Sequence, residues 1–291
     1  MGSTQVMHIG PYRLLNVVYT GQTSRTWQAY DDRNRRYVGI KTLFQSSSRD
    51  SKQVQMLKWE YQVGSKLHHE RIVNIFDFGW HNKSPYIVMD WFAAPNIKQI
   101  IHQPGGYGKY CVCLPTMIPQ MVEALAVLHE SGWVHRDVKP DNFLYNDEGG
   151  VKLIDFALAK SIKPNPLAKL FKMKSQPQGT PSYMSPEQIL GLPLDGRADL
   201  YSLGCSIFEI LAARPTFTGT SMQELLQKHV SGPIPSIRAR NKNVSENFST
   251  ILAQMMAKNP KDRPKSAREI FRALRSVPIF TRPPQEGDKV G

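Results

Sequence analysis

The spacing of hydrophobic positions changes once along the chain. From Arg13 to Phe92 apolar residues come in short runs: "RLLNVV" (13–18), "TWQAY" (26–30), "RYVGIKTLF" (36–44), "IVNIFDFGW" (72–80) and "PYIVMDWF" (85–92). Turn-like "YTGQTS", "DDRNRR" and "HNKS" fall between them, so these runs read as antiparallel strands. One helix, from Ser51 to about Leu67, breaks the series. After Asn96 the period becomes helical. In "PTMIPQMVEALAVLHESG" (115–132) Ile118, Met121, Val122, Leu125 and Leu128 share one face, and Gly132 makes a plausible C-cap. "NFLYNDEGGVKLIDF" (142–156) reads as a hairpin turning at Gly149–Gly150. From Asp199 onward the pattern is mostly helical. The expectation is an α+β chain with a strand-rich lobe over about 12–90 and a larger helical lobe over about 95–278. Residues 1–11 read as an extension and 279–291, "IFTRPPQEGDKVG", as a linker or tail.

Composition narrows the class without naming a chemistry. With 291 residues the chain can bury a large core. No uninterrupted apolar run approaches the ~20 residues of a membrane span, and the start lacks the basic-then-apolar order of a secretory signal. A cytoplasmic setting is expected for this segment, leaving room for a membrane anchor outside it. The odd cysteine count, Cys111, Cys113 and Cys205, argues against a disulfide framework, and these read as packing thiols. The net charge of +13 comes without a nucleic-acid motif, so a solvated basic surface is expected rather than a nucleic-acid partner. Its one concentrated stretch lies between Asp155 and Glu187. Five lysines fall there (Lys160, Lys163, Lys169, Lys172, Lys174) with no acidic residue, a local field able to attract an acidic substrate or partner.

The chemistry concentrates in "VHRDVKPDNFLY" (134–145) and "LIDF" (153–156). Phosphoryl transfer requires an acceptor for a hydroxyl proton, a cation beside the transferring phosphate and oxygen ligands for Mg²⁺. Asp137, Lys139 and Asn142 offer these in order. Asp155, emerging from a strand, adds a hard carboxylate ligand. In "VGIK" Lys41 sits on a strand where it can hold α- and β-phosphates, and Glu60, mid-helix, is placed to pair with it.

With these residues on the page, the chain resembles the eukaryotic-like protein kinases, in their bacterial Ser/Thr form. The resemblance covers nearly the whole chain: Lys41, Glu60, "HRDVKPDN", "DFA", "GTPSYMSPEQ" (179–188), "DLYSLG" (199–204) and "KNPKDRP" (258–264) stand in the family's order. It implies a two-lobed fold, transfer of the ATP γ-phosphoryl group to protein serine or threonine, and Mg²⁺ (or Mn²⁺) as cofactor. Asp137 and Lys139 would be catalytic, and Asn142 and Asp155 metal ligands. The nucleotide site would comprise Val18, Gly21, Thr26, Gly39, Lys41, Glu60, the gatekeeper Met89, the hinge residues Asp90 and Phe92, and Leu144. Glu187 would pair with Arg263 and Asp199 would anchor the catalytic loop. Autophosphorylation and a homodimer are also compatible with the resemblance. Arg136 resembles the arginine that meets a phosphate in the activation segment, with Ser175 and then Thr180 as candidate regulatory positions.

The departures cluster around the nucleotide. Against the family's G-x-G-x-x-G-x-V, this chain has Tyr19, Gly21, Ser24 and Thr26. Gly39 replaces an alanine, Gly64 a large apolar residue expected to stack on Phe156, and Ala157 the glycine of the DFG motif, where it is expected to restrict the backbone. Each lost methyl(ene) contact on the base weakens binding by about 1 kcal/mol at most, whereas losing a group that meets transition-state charge costs far more. An active kinase holding ATP more weakly is therefore expected. The alternative is a pseudokinase, or a nucleotide-binding scaffold with little transfer. Gly64 is expected to loosen the helix carrying Glu60.

Overall fold

The computed structural model describes residues 7–162 and 178–291. The chain divides into two compact units: residues up to Ala93 together with Asp155–Ala157, and the rest from Ala94 onward. In the first, β1 (His8–Ile9), β2 (Tyr12–Thr20), β3 (Ser24–Asp31), β4 (Arg36–Leu43), β5 (Ile75–His81) and β6 (Ser84–Asp90) form one antiparallel sheet in the order β1-β2-β3-β4-β6-β5. The strand period of two decides which side chains meet. Ala29, Val38, Ile40 and Val88 pack with Tyr12, Leu14 and Tyr86 on one face. Gly39 and Lys41, one position out of phase with Val38 and Ile40, therefore belong to the other face. There they stand opposite Gln28 and Thr26 of β3.

The helix α1 (Ser51–Gly64) starts where the Asp50 carboxylate accepts from the Lys52 amide at 2.9 Å, a cap typically worth about 1 kcal/mol. It buries Leu57, Glu60, Val63 and Gly64 along one face. The expected end at Leu67 is three residues late. Lys66 and Leu67 turn back onto the carbonyls of Val63 and Gly64 in a tighter spiral, while Leu67 stays in the core. Its apolar character, rather than helical backbone, extended the pattern. No side chain fits at Gly64: a Cβ there would lie 2.5 Å from Cδ1 of Ile75. Ile75 occupies the space a larger residue would take, so α1 packs directly on β5.

The second unit contains α2 (Ile97–Ile101), α3 (Tyr107–Tyr110), α4 (Leu114–Glu130), the short strands β7 (Trp133–Val134), β8 (Phe143–Tyr145), β9 (Val151–Leu153) and β10 (Lys160–Ser161), then α5 (Pro186–Ile189), α6 (Gly196–Ala212), α7 (Met222–Ser231), α8 (Glu246–Met255) and α9 (Ala267–Ala273). The face read from the sequence of α4 is fully buried. Gly132 follows it at a φ of 88°, a left-handed turn that suits glycine. Tyr107–Glu130 is long and apolar enough to cross a membrane by length and composition, contrary to the sequence expectation. However, more than half of its most apolar window is buried in the unit, and a 3-10 turn at Cys111–Cys113 interrupts it. Cys111 and Cys205 are buried free thiols and Cys113 is half-buried.

The terminal segment departs from the linker expectation. Phe280 bridges Val244, Gly287 donates to the Gly108 carbonyl at 2.8 Å, and the Cys111 thiol donates to the Gln285 carbonyl at 3.1 Å. The prolines, glycine and charges of "TRPPQEGDKVG" look like a linker, but its backbone groups are used in docking.

His229 on α7 is fully buried. Its Nδ1 lies 3.1 Å from the Tyr201 hydroxyl, Phe217 stacks edge-on at 4.8 Å, and Nε2 finds no hydrogen-bond partner. Burial, with the neighbouring Lys258 cation, pushes its pKa down to about 4. Below the ordinary value near 6.5 the unfolded chain takes up the proton before the folded one, so acid favours unfolding. Stability contributed by neutral His229 is present above pH 6.5 and is lost as pH falls to about 4. Urea unfolding at pH 7 and pH 4.5 should show this loss, on the order of 2–3 kcal/mol; His229→Phe, which carries no titrating group, should remove most of it.

Candidate functional site

In the strand-rich unit, Lys41 is held from two sides. Its Nζ donates to Glu60 Oε2 at 2.7 Å and Oε1 at 3.0 Å, and lies 3.7 Å from Asp155 Oδ1. Burial works against the ammonium, but the carboxylates of Asp155 and Glu60 outweigh it and raise its pKa. Burial pushes the Glu60 carboxyl up to about 7 despite Lys41. The pairing read from sequence is therefore made, by a helix that presents Glu60 on its buried face.

Asp155 takes a φ of 66°, a left-handed conformation uncommon for a residue other than glycine. Its Oδ1 accepts from the Ala157 amide at 3.3 Å. Ala157 itself is not among the positive-φ residues. The restriction expected from replacing glycine is thus not felt here, because the left-handed residue is the aspartate.

The β2–β3 hairpin closes on Gly21–Thr23, with Gly21 donating to the Ser24 carbonyl at 2.9 Å. A positive φ is not what Gly21 supplies. A Cβ would instead lie 3.3 Å from the Tyr19 ring, so glycine is favoured by close approach. Tyr19 pairs with Thr26 across the hairpin beside a register shift, and its ring is half exposed, as is Val18. Gly39 pairs with Met89, whose Cγ lies 3.0 Å from where a Cβ would stand. The missing methyl leaves no empty roof: the methionine side chain fills its place. Met89, Asp90 and Phe92 are partly buried at the end of β6 and just after it, with Asp90 donating to Asn74.

In the helical unit a second set converges. Asp137 Oδ1 accepts from the Thr180 amide at 2.9 Å and its hydroxyl at 2.8 Å. Lys139 Nζ lies 2.7 Å from Asp137 Oδ2 and donates to Thr180 Oγ1 at 2.7 Å. Asn142 Nδ2 donates to the Asp137 carbonyl at 2.8 Å and to Oδ2 at 3.3 Å, so its Oδ1 is the atom suited to a hard cation. Leu144 lies on β8 and bridges Asn96. Among the described residues no cluster of three or more His, Cys, Asp and Glu side chains converges as a metal site.

The loop carrying Asp137 is strained and anchored. Arg136 has a φ of 71°; Asp199 accepts from the amides of His135 at 2.6 Å and Arg136 at 2.8 Å, and from His129 at 2.9 Å. These bonds offset a conformation costing roughly 1–3 kcal/mol. Burial lowers the Arg136 pKa, and its Nε has no hydrogen-bond partner. Thr180 is at the site, whereas Ser175 lies outside the described residues. Two supports went unread in the sequence. Gln188 caps α5 with Ser185, a spacing visible in "SPEQ", and its Nε2 also reaches the Arg136 carbonyl at 2.8 Å. Lys98 pairs with Glu209, whose other oxygen accepts from the Tyr183 hydroxyl at 2.5 Å. Glu209 alone, in a run of apolar α6 residues, was the available signal.

Residues 12–274 match the family model described as protein kinase domain. The chain is similar to serine/threonine-protein kinase PknB of Mycobacterium tuberculosis, at 32% identity over 284 residues, covering 96% of this chain and 44% of that protein. PknB of Mycobacterium leprae is 31% identical over 284 residues, with 96% and 44% covered. The probable serine/threonine-protein kinase PknB of Corynebacterium glutamicum is 32% identical over 267 residues, with 89% and 41% covered. The chain thus spans less than half the length of these curated relatives.

Proposed function

Because the chain belongs to the protein kinase family, we propose that it transfers the γ-phosphoryl group of ATP to serine and threonine hydroxyls of proteins. One observation carries this reading: Asp137 and Lys139 already clamp an alcohol, the Thr180 hydroxyl, between a carboxylate and an ammonium. An incoming hydroxyl needs the same two partners. As its oxygen attacks the γ-phosphorus, the bond to the bridging oxygen breaks and ADP leaves, the hydroxyl proton passes to Asp137, and Lys139 offsets the charge developing on the phosphoryl oxygens. Lys41, fixed by Glu60, supplies a fixed positive charge for the α- and β-phosphates. Asn142 and Asp155 offer oxygens of the hardness Mg²⁺ prefers, and Mn²⁺ accepts the same set. When bound, the ion neutralises β- and γ-phosphate oxygens.

A partly buried guanidinium whose Nε lacks a partner while Nη1 donates to the Leu158 carbonyl at 3.5 Å favours a regulatory role for Arg136: a phosphate on Ser175 would give it an anionic partner. Protein substrates, self-phosphorylation among them, are the acceptors this reading requires.

The test is incubation of the chain with γ-labelled ATP and Mg²⁺, followed by phosphoamino-acid analysis. Label is expected on phosphoserine and phosphothreonine, with none on phosphotyrosine. Thermal stabilisation by Mg-ATP without any label would assign the chain to the nucleotide-binding pseudokinases instead.

A further inference from the structure

Between Ile210 and Ser245 the sequence contains one acidic residue, Glu224, and five basic ones, Arg214, Lys228, Arg238, Arg240 and Lys242. The fold gathers three of these bases around a cavity of about 280 Å³ in the helical unit, away from the residues assigned to transfer. Arg214, Lys228 and Arg240 line it. Lys228 is committed to the Glu224 carboxylate at 2.7 Å and the Thr218 carbonyl at 2.7 Å, which pins the loop after α6 to α7. Arg214 and Arg240 are exposed, and among the described residues neither guanidinium has a carboxylate within ion-pair distance.

Apart from Thr216 and Thr218, the remaining wall is apolar and stiff. Phe208 and Phe217 are buried in it. Pro215, Pro233 and Pro235 complete it, and their rings fix φ near −65°, so little chain entropy is lost when something docks. Gly232 allows the sharp exit from α7, since a Cβ there would lie 2.8 Å from the Lys228 carbonyl oxygen. Lys258 Nζ stands 4.4 Å over the Phe217 ring, adding positive potential next to the cavity. The cavity lies at the low end of small-ligand pockets and matches one or two side chains.

We propose that this cavity docks an acidic peptide segment of a partner protein. One apolar side chain enters between the prolines and Phe217, and carboxylates flanking it in sequence bind Arg214 and Arg240. Charge complementarity selects this occupant: an apolar peptide would leave both guanidiniums unused, and a basic one would be repelled.

The test is a displayed library of random dodecapeptides panned against the full chain, with selected peptides then titrated by fluorescence polarisation. Selected sequences should be rich in Asp and Glu beside an apolar residue. Their affinity should fall at least about tenfold in R214A/R240A, one charge-assisted pair being worth about that much. Arg238→Ala, outside the cavity and paired with Glu246, should leave affinity within about twofold. Selection of sequences without acidic residues, binding that survives R214A/R240A, or equal loss in Arg238→Ala would each overturn the proposal. Because the readout is binding, its outcome is separate from whether the chain transfers phosphate.

Discussion

Lys41→Met is expected to lower phosphoryl transfer roughly 10²–10³-fold while leaving the chain folded. The charge lost is one held 2.7 Å from Glu60 and 3.7 Å from Asp155, and methionine fills the same volume without supplying it. Groups fixed against transition-state charge contribute on this scale because their orientation costs nothing when the reaction occurs. The stability effect carries its own signature. Without Lys41, Glu60 is a buried carboxyl 3% exposed with no cation; its pKa, already about 7, rises further. A raised carboxyl pKa means the folded state keeps its proton longer than the unfolded one, so stability is greater at low pH and is lost as pH rises. The variant should therefore unfold at nearly the wild-type urea midpoint at pH 6 and at a clearly lower one at pH 8.5. A pH-independent difference would show that Glu60 is not the group left uncompensated.

Arg263→Ala should cause the largest loss of stability, about 3–5 kcal/mol. The guanidinium binds Glu187 at 2.6 and 2.9 Å and donates to the carbonyls of Ala257, Arg197 and Lys258, with neither side chain more than 5% exposed. Removal strands a carboxylate and three carbonyls in a dry interior, where an unmet group costs its full desolvation penalty. For a chain of this size the melting temperature should drop roughly 6–20 °C. Arg263→Lys should recover only part of it, since an ammonium cannot form the parallel pair of bonds. Scanning calorimetry of the three proteins decides this; a wild-type melting point for Arg263→Ala would mean the pair contributes no net stability.

The parts legible in the sequence were those written in local chemistry. The change from strand to helical period marks the two units, the buried face of α4 follows from spacing alone, and the carboxylate and ammonium picked out in "HRDVKPDN" do meet, at the Thr180 hydroxyl. What could not be read depends on residues distant in sequence. Gly39 and Gly64 looked like losses because their partners, Met89 and Ile75, fill the space from other strands. Ala157 looked restrictive because the left-handed backbone falls two residues earlier, on Asp155. The terminal segment looked like a linker because composition does not say whether Gly108 and Val244 will accept its backbone. Helix termini fail for a related reason: Leu67 is apolar and buried whether or not the backbone remains helical. A residue's type records its own chemistry, whereas its necessity is set by what packs against it.

The altered hairpin tip is consistent with that view. Tyr19 and Ser24 stand where the family places glycines, yet the turn closes through Gly21 and the Ser24 carbonyl, while Lys41 and Glu60 remain paired. The changes leave the hairpin closed and the groups assigned to the proposed reaction intact.

In the proposed reaction Asp137 accepts the proton of a protein hydroxyl during phosphoryl transfer. The most direct test is the rate of γ-phosphate incorporation from saturating Mg-ATP into a protein substrate by the wild type and by Asp137→Asn, whose side chain is nearly isosteric but a far weaker base. Incorporation by the wild type that falls at least about 10²-fold in the variant, with unchanged thermal stabilisation by Mg-ATP, is the predicted result. Equal rates in the two proteins, or none in the wild type, would contradict it.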